Sequence, residues 1–169
     1  PGSVGESLLS GSPCAVAIAP RGYVETGFGA RGVVTVGVSP SPESQLALDE
    51  AARLACEQGL RLRVVSVVPD VPELALQALR LEQIETRLSE EYQRVLDDAV
   101  ARRPERVQGE PLLLRGDAAT ALAEQSASSD LLVLGSRGYG PLRAALAGSV
   151  SAKLVREAAC PVLIVPRGS

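Results

Sequence analysis

Five nearly unbroken apolar runs, rich in β-branched residues, recur along the chain: Val33 to Val38, Leu62 to Val68, Leu112 to Leu114, Leu131 to Leu134 and Val162 to Val165. A strand with one wet face alternates apolar and polar residues, whereas runs without alternation read as strands covered on both faces, the mark of a parallel sheet. The segments between them read as helices. Gln45 to Gln58 is rich in Ala and Leu and stops at Gly59, a residue suited to the position after a helix. Leu81, Ile84, Leu88, Tyr92, Val95 and Ala99 recur at steps of three and four, which predicts a long amphipathic helix closed off by Pro104. Asp117 is a candidate N-cap for a third helix reaching about Ser126, and Ser149 for a fourth running through Glu157. With right-handed crossovers this β-α alternation gives an α/β fold, a doubly wound five-stranded parallel sheet of Rossmann-like form. Ligands of such sheets collect at the carboxyl ends of the strands. Attention therefore falls on the loops Ser39 to Ser44 and Gly135 to Ser149.

A second feature is an internal repeat. Residues 2–22, GSVGESLLSGSPCAVAIAPRG, align without a gap on residues 148–168, GSVSAKLVREAACPVLIVPRG, with ten of twenty-one positions identical. Cys14 matches Cys160, and Pro20-Arg21-Gly22 matches Pro166-Arg167-Gly168. The offset of 146 residues is an ordinary domain length, so the expected organisation is the tail of a preceding domain over 1–22, a glycine-rich linker over 23–32 and one complete domain over 33–169. Within the leader, Ala15 to Ala19 is the expected extra strand.

Composition narrows the chemistry. There is no histidine, which removes imidazole as base, proton shuttle or metal ligand. The net charge is -3 with no dense basic run, which argues against nonspecific nucleic-acid binding. No apolar stretch approaches the roughly 18 residues of a membrane span. Three well-separated cysteines, Cys14, Cys56 and Cys160, read as small buried hydrophobes in a reducing, cytoplasmic setting and not as a disulfide framework.

Chemistry concentrates in one loop. Gly135-Ser136-Arg137-Gly138-Tyr139-Gly140 leaves a strand, and Gly148-Ser149-Val150 opens a helix. Glycines admit an anion close to backbone amides, and the helix start adds unpaired N–H groups and its positive dipole end. The spacing Gly-x2-Gly-x9-Gly-Ser, set between Asp130-Leu131-Leu132-Val133-Leu134 and Cys160-Pro161-Val162-Leu163-Ile164-Val165, resembles the nucleotide-binding signature of the universal stress protein family. The resemblance extends to Val36-Gly37-Val38 with Ser41-Pro42-Glu43-Ser44 and to Leu114-Arg115-Gly116-Asp117, covering about Gly32 to Pro166. It implies strand order 3-2-1-4-5, with the leader strand antiparallel at the fifth-strand edge. It also implies a cytoplasmic stress-response regulator that binds ATP or a related adenine nucleotide, with Mg²⁺ accompanying the phosphates. Phosphates and ribose would meet Gly135, Arg137, Gly138, Gly148, Ser149 and Val150, and the adenine edge would meet backbone at Val67. The resemblance further implies association through fifth strands, as a homodimer or with a tandem partner in the same chain.

One departure stands out: where nucleotide-binding members carry Asp-Gly after the first strand, this chain has Ser39-Pro40. Serine offers a neutral hydrogen bond in place of a charge-assisted one, and proline removes a backbone donor. A competing reading follows, a nucleotide-independent dimerisation module of the same fold with a degenerate adenine site. Arg137, Arg143 and Lys153, the sole lysine, read as solvated side chains or as phosphate partners. No acid, base, nucleophile or metal set assembles near the glycine loop, so slow incidental ATP hydrolysis is the most the residues suggest.

Overall fold

The computed structural model describes residues 14–20, 23, 28–71, 82–136 and 149–166. In chain order the elements are β1 (Val16–Ile18), β2 (Val33–Val38), α1 (Pro42–Gln58), β3 (Arg61–Val68), α2 (Glu82–Ala101), β4 (Gly109–Arg115), α3 (Ala118–Ser126), β5 (Leu131–Gly135), α4 (Ser149–Glu157) and β6 (Val162–Val165). They build one six-stranded sheet in the order β1-β6-β5-β2-β3-β4. β2 to β6 are all parallel to one another, and β1 adds antiparallel to β6. This is the expected doubly wound order with the leader strand at the fifth-strand edge.

Both faces of the sheet are covered, as the unbroken apolar runs require. On one face Val34, Val36, Val64 and Val133 pack against Leu48 of α1 and Leu96 of α2. On the other, Val65, Val67, Leu132 and Ile164 pack against Leu122 of α3 and Leu154 of α4. Each fully buried leucine of this kind stabilises the fold by about 2 to 3 kcal/mol.

The amino end of the sheet is pinned by polar groups. The Asp130 carboxylate, buried just before β5, accepts the backbone N–H groups of Arg31 and Val33, each at 2.9 Å. Beside it the buried Thr35 and Ser129 hydroxyls share a hydrogen bond of 2.6 Å. These contacts fix β2 against β5, and so fix where their opposite ends open into the site.

The β1–β6 ladder has a symmetry that the repeat makes visible. Val16 lies opposite Ile164, Ala17 opposite Leu163 and Ile18 opposite Val162, while the repeat equates Val16 with Val162, Ala17 with Leu163 and Ile18 with Ile164. The central rung therefore joins equivalent positions and the flanking rungs exchange them, the register of a local two-fold axis.

Candidate functional site

The carboxyl ends of β2, β3 and β5 open into one cleft of about 570 Å³. It opens at the point where strand order reverses, between β2, which continues to β3, and β5, which continues to β6. Such a crevice is left because the chain crosses over in opposite directions on either side of it. Its floor is apolar, formed by Val38, Val65, Val67, Leu122 and Leu134, and its walls are polar: Ser39, Ser41, Glu43 and Ser44 from the β2–α1 corner, Asp70 past β3, Gly116 and Asp117 before α3, and Ser149 to Ser151 at the start of α4.

At the β2–α1 corner Ser41 occupies the N-cap position and Pro42 the first turn, where a missing N–H costs nothing. The Ser41 hydroxyl does not cap the helix. Instead the hydroxyls of Ser39, Ser41 and Ser44 form a triangle with sides of 3.2 to 3.3 Å, and the Ser44 hydroxyl accepts the Ser39 backbone N–H at 2.9 Å. Ser39 thus presents a hydroxyl already engaged with its neighbours.

Gly135 holds this corner against β5. A Cβ there would overlap the Glu43 backbone carbonyl oxygen and lie 2.7 Å from its carbon and 2.9 Å from the Glu43 Cβ. The β5–α1 approach therefore exists because position 135 lacks a side chain. Across the cleft Gly116, with φ of +112°, turns the chain from β4 into α3 through a region costly for any residue with a Cβ.

Asp117 then caps α3 as expected. Its Oδ2 accepts from the Thr120 backbone N–H at 2.9 Å and the Thr120 hydroxyl at 2.7 Å. The same oxygen accepts from the Lys153 ammonium at 2.9 Å, and Lys153 also donates to the Thr120 hydroxyl at 2.9 Å. The Thr120 hydroxyl, then Lys153, then the Thr120 N–H hold the Asp117 carboxyl down at about 2. The bond to Asp117 raises Lys153 in turn. Lys153 is therefore not simply solvated: α3 and α4 lie side by side, and it ties the second turn of α4 to the N-cap and first turn of α3.

A depressed carboxyl stabilises the fold above its ordinary value of 3.8 and loses that contribution as pH falls toward about 2. Asp117→Asn keeps a capping side chain and removes the charge. The thermal midpoint of the parent is expected to fall more steeply than that of D117N between pH 4 and 2, read by circular dichroism at matched ionic strength.

Of the residues singled out from sequence, Ser39, Val67, Gly135, Ser149 and Val150 line the cleft. Pro40 does not: it is exposed at the outside of the turn, because the Ser39–Ser41 turn directs it away. Arg137, Gly138, Tyr139, Arg143 and Gly148 lie outside the described residues. Ser149 is the first described residue of α4. Sequence reasoning did not assign Glu43, Asp70 or Tyr92 to the site, yet all three line it. The apolar period of α2 could have flagged Tyr92, the one residue of that stripe with a polar tip.

A doubly wound α/β sheet with its cleft at the switch point and a helix start in the cleft wall defines the Rossmann-like class of ligand-binding domains. Within that class, the sequence profile described as the universal stress protein family matches residues 31–166, and the chain belongs to that family. Universal stress protein Rv1996 of Mycobacterium tuberculosis is 34% identical over 152 residues, covering 79% of this chain and 47% of the relative. Universal stress protein YxiE of Bacillus subtilis is 31% identical over 146 residues, covering 77% and 95%. The chain spans about half the length of the mycobacterial relatives it matches. Among solved structures, a universal stress protein family member from Burkholderia pseudomallei superposes with a TM-score of 0.57 at 33% identity, covering 82% of this chain and 99% of that one. A universal stress protein in complex with cAMP gives 0.54 at 26% identity, covering 79% and 95%. The Archaeoglobus fulgidus protein in complex with dAMP gives 0.57 at 22%, covering 78% and 95%. No described helix is long and apolar enough to cross a membrane.

Proposed function

We propose that this domain binds an adenine nucleotide, ATP foremost, in the cleft between β2 and β5, and that occupancy regulates its contacts with partners in a cytoplasmic stress response. The observation that carries the reading is the meeting, in one cleft, of the α4 start at Ser149 and Val150, the glycine at 135 and an apolar floor that includes Val67. The α4 start suits phosphate, because its first N–H groups have no partner within the helix. The floor suits a flat base. The structures of relatives with cAMP and dAMP support the adenine class. In this reading Arg137, Gly138 and Gly148 complete the phosphate cradle. Mg²⁺ would arrive with the phosphates: among the described residues no group of three or more acidic, Cys or His side chains is set to hold a metal. The three cysteines, all of them thiols and one buried and pushed up to about 12 by desolvation, support a reducing compartment.

Isothermal titration of the folded protein with ATP and Mg²⁺ is expected to give saturable heat at one site per chain. Absence of heat with ATP, AMP and cAMP would overturn the reading and leave the nucleotide-independent interaction module. That second reading is favoured by one observation, the engaged Ser39 hydroxyl in place of a carboxylate.

We also infer that residues 1–22 end a preceding family domain and that 23–32 link it to the domain at 33–169. The repeat and the two-fold register of β1 on β6 support this, as does the double length of the mycobacterial relatives. In that arrangement β1 is the partner strand that a fifth strand would find in a tandem copy or a homodimer.

A further inference from the structure

The described residues lining the cleft include three acids, Glu43, Asp70 and Asp117, and no Lys or Arg. A nucleotide's phosphates would approach acidic side chains there, one of which, Asp117, is paired with a cation. Among the described residues, Lys153 is a cation bonded to it. Its ammonium sits 2.9 Å from an Asp117 oxygen, and Asp117 itself lines the cleft. Lys153 lies four residues past Ser149 on α4, about 6 Å along the axis. Helical side chains lean toward the N-terminus, and the four-carbon lysine stem spans that rise. Lys153 therefore reaches toward the same helix start that opens into the cleft. Its present bond is an exchangeable one: the Lys153 side chain is 35% exposed and that of Asp117 60%, and a pair so wetted holds its partners only weakly.

We propose that Lys153 is a phosphate counter-ion of this site, additional to Arg137 and held in reserve by Asp117: ligand phosphate at the α4 start competes with the Asp117 carboxylate for the ammonium. The inference rests on the nucleotide reading above and adds a specificity residue and its regulator. Asp117 keeps two bonds to Thr120 when the lysine leaves, so α3 stays capped while the cation moves. Affinity then rises with the number of phosphates, because each added charge pulls harder on the lysine.

The competition has a signature that a purely structural ion pair lacks. If the pair merely braces α3 against α4, breaking it from either side weakens binding alike. If the two anions compete, the variants move in opposite directions. Lys153→Met is expected to weaken ATP roughly fivefold and Asp117→Asn to tighten it roughly threefold, the size of one charge-assisted hydrogen bond made or broken on a wetted surface. Adenosine, which has no phosphate, is expected to bind both variants as it binds the parent. The measurement is calorimetry with adenosine, AMP and ATP on parent, K153M and D117N, with circular dichroism to verify folding. Because Lys153 is the sole lysine, ATP should also change acylation of its ammonium by an amine-reactive ester, read by mass spectrometry of the peptide. Same-sign shifts, or an equal effect on adenosine, would overturn the proposal while leaving nucleotide binding intact. Loss of all binding by the parent would overturn the nucleotide reading instead.

Discussion

Gly135→Ala is expected to destabilise the domain by about 3 kcal/mol, lowering the thermal midpoint by about 6 to 12 °C, and to abolish ligand binding in whatever fraction stays folded. The added methyl would enter the Glu43 backbone carbonyl, and backbone cannot rotate aside as a side chain can. Relief requires moving the first turn of α1 away from β5. That turn carries Ser41, Glu43 and Ser44, all in the cleft wall, so stability and site geometry fail together. Gly37→Ala supplies the contrast. A Cβ there would come within 2.9 Å of a Leu134 methyl and 3.1 Å of a Leu122 methyl, flexible ends that can shift. Its cost should stay under about 1.5 kcal/mol. Comparable losses in the two variants would mean that the tight β5–α1 approach is not what position 135 protects.

Deleting residues 1–22 is expected to double the mass of the protein in light scattering. Without β1, the edge of β6 bears unpaired backbone groups along Val162 to Val165, the kind of apolar edge that recruits another strand. The strand best matched to it is a second β6, because β1, which already fits, repeats its sequence. In the observed register the central rung of the new pair would set Leu163 opposite Leu163. A lysine at that position would place like charges face to face, which disfavours cross-strand pairing, so L163K in the shortened chain should return it to the smaller mass. If the shortened protein keeps the mass and thermal midpoint of the intact chain, β1 contributes nothing and the tandem reading loses its structural support.

The parallel sheet is legible in the sequence because two-sided burial leaves a direct imprint: runs such as Val33 to Val38 have no polar residue placed to face water. The apolar run at Leu112 to Leu114 understates β4. That strand begins at Gly109, but Gly109, Glu110 and Pro111 lack strand character. They are tolerated because β4 is the last strand on its side of the sheet, where one row of N–H groups needs no partner. The Ala/Leu pattern likewise starts α1 three residues late, since Pro42 in a first turn looks like a breaker. The glycine spacing brings Gly135, Ser149 and Val150 to attention through local chemistry alone. Asp70 carries no such local signal, and Tyr92 shows only as the one polar tip in the apolar stripe of α2. They reach the cleft only because β3 ends there and α2 crosses above it, a juxtaposition that exists in three dimensions and leaves no pattern along the chain. The bond from Lys153 to Asp117 is hidden for the same reason, joining groups 36 residues apart.

The ladder between β1 and β6 also sets an order of events. Its central rung joins Ala17 to Leu163, the greatest sequence separation of any strand pair in the sheet, and such closures bear the largest chain-entropy cost before any contact repays it. A three-residue ladder repays little. β1 pairs with β6 alone, so among the described strands the earliest in the sequence must wait for the latest. Until then β6 stands bare on the growing sheet, and neighbouring chains in a crowded refolding mixture compete with the leader for it. Refolding yield should therefore fall with protein concentration even where the finished fold is fully stable, a kinetic vulnerability written into the fold by the separation of two matching strands.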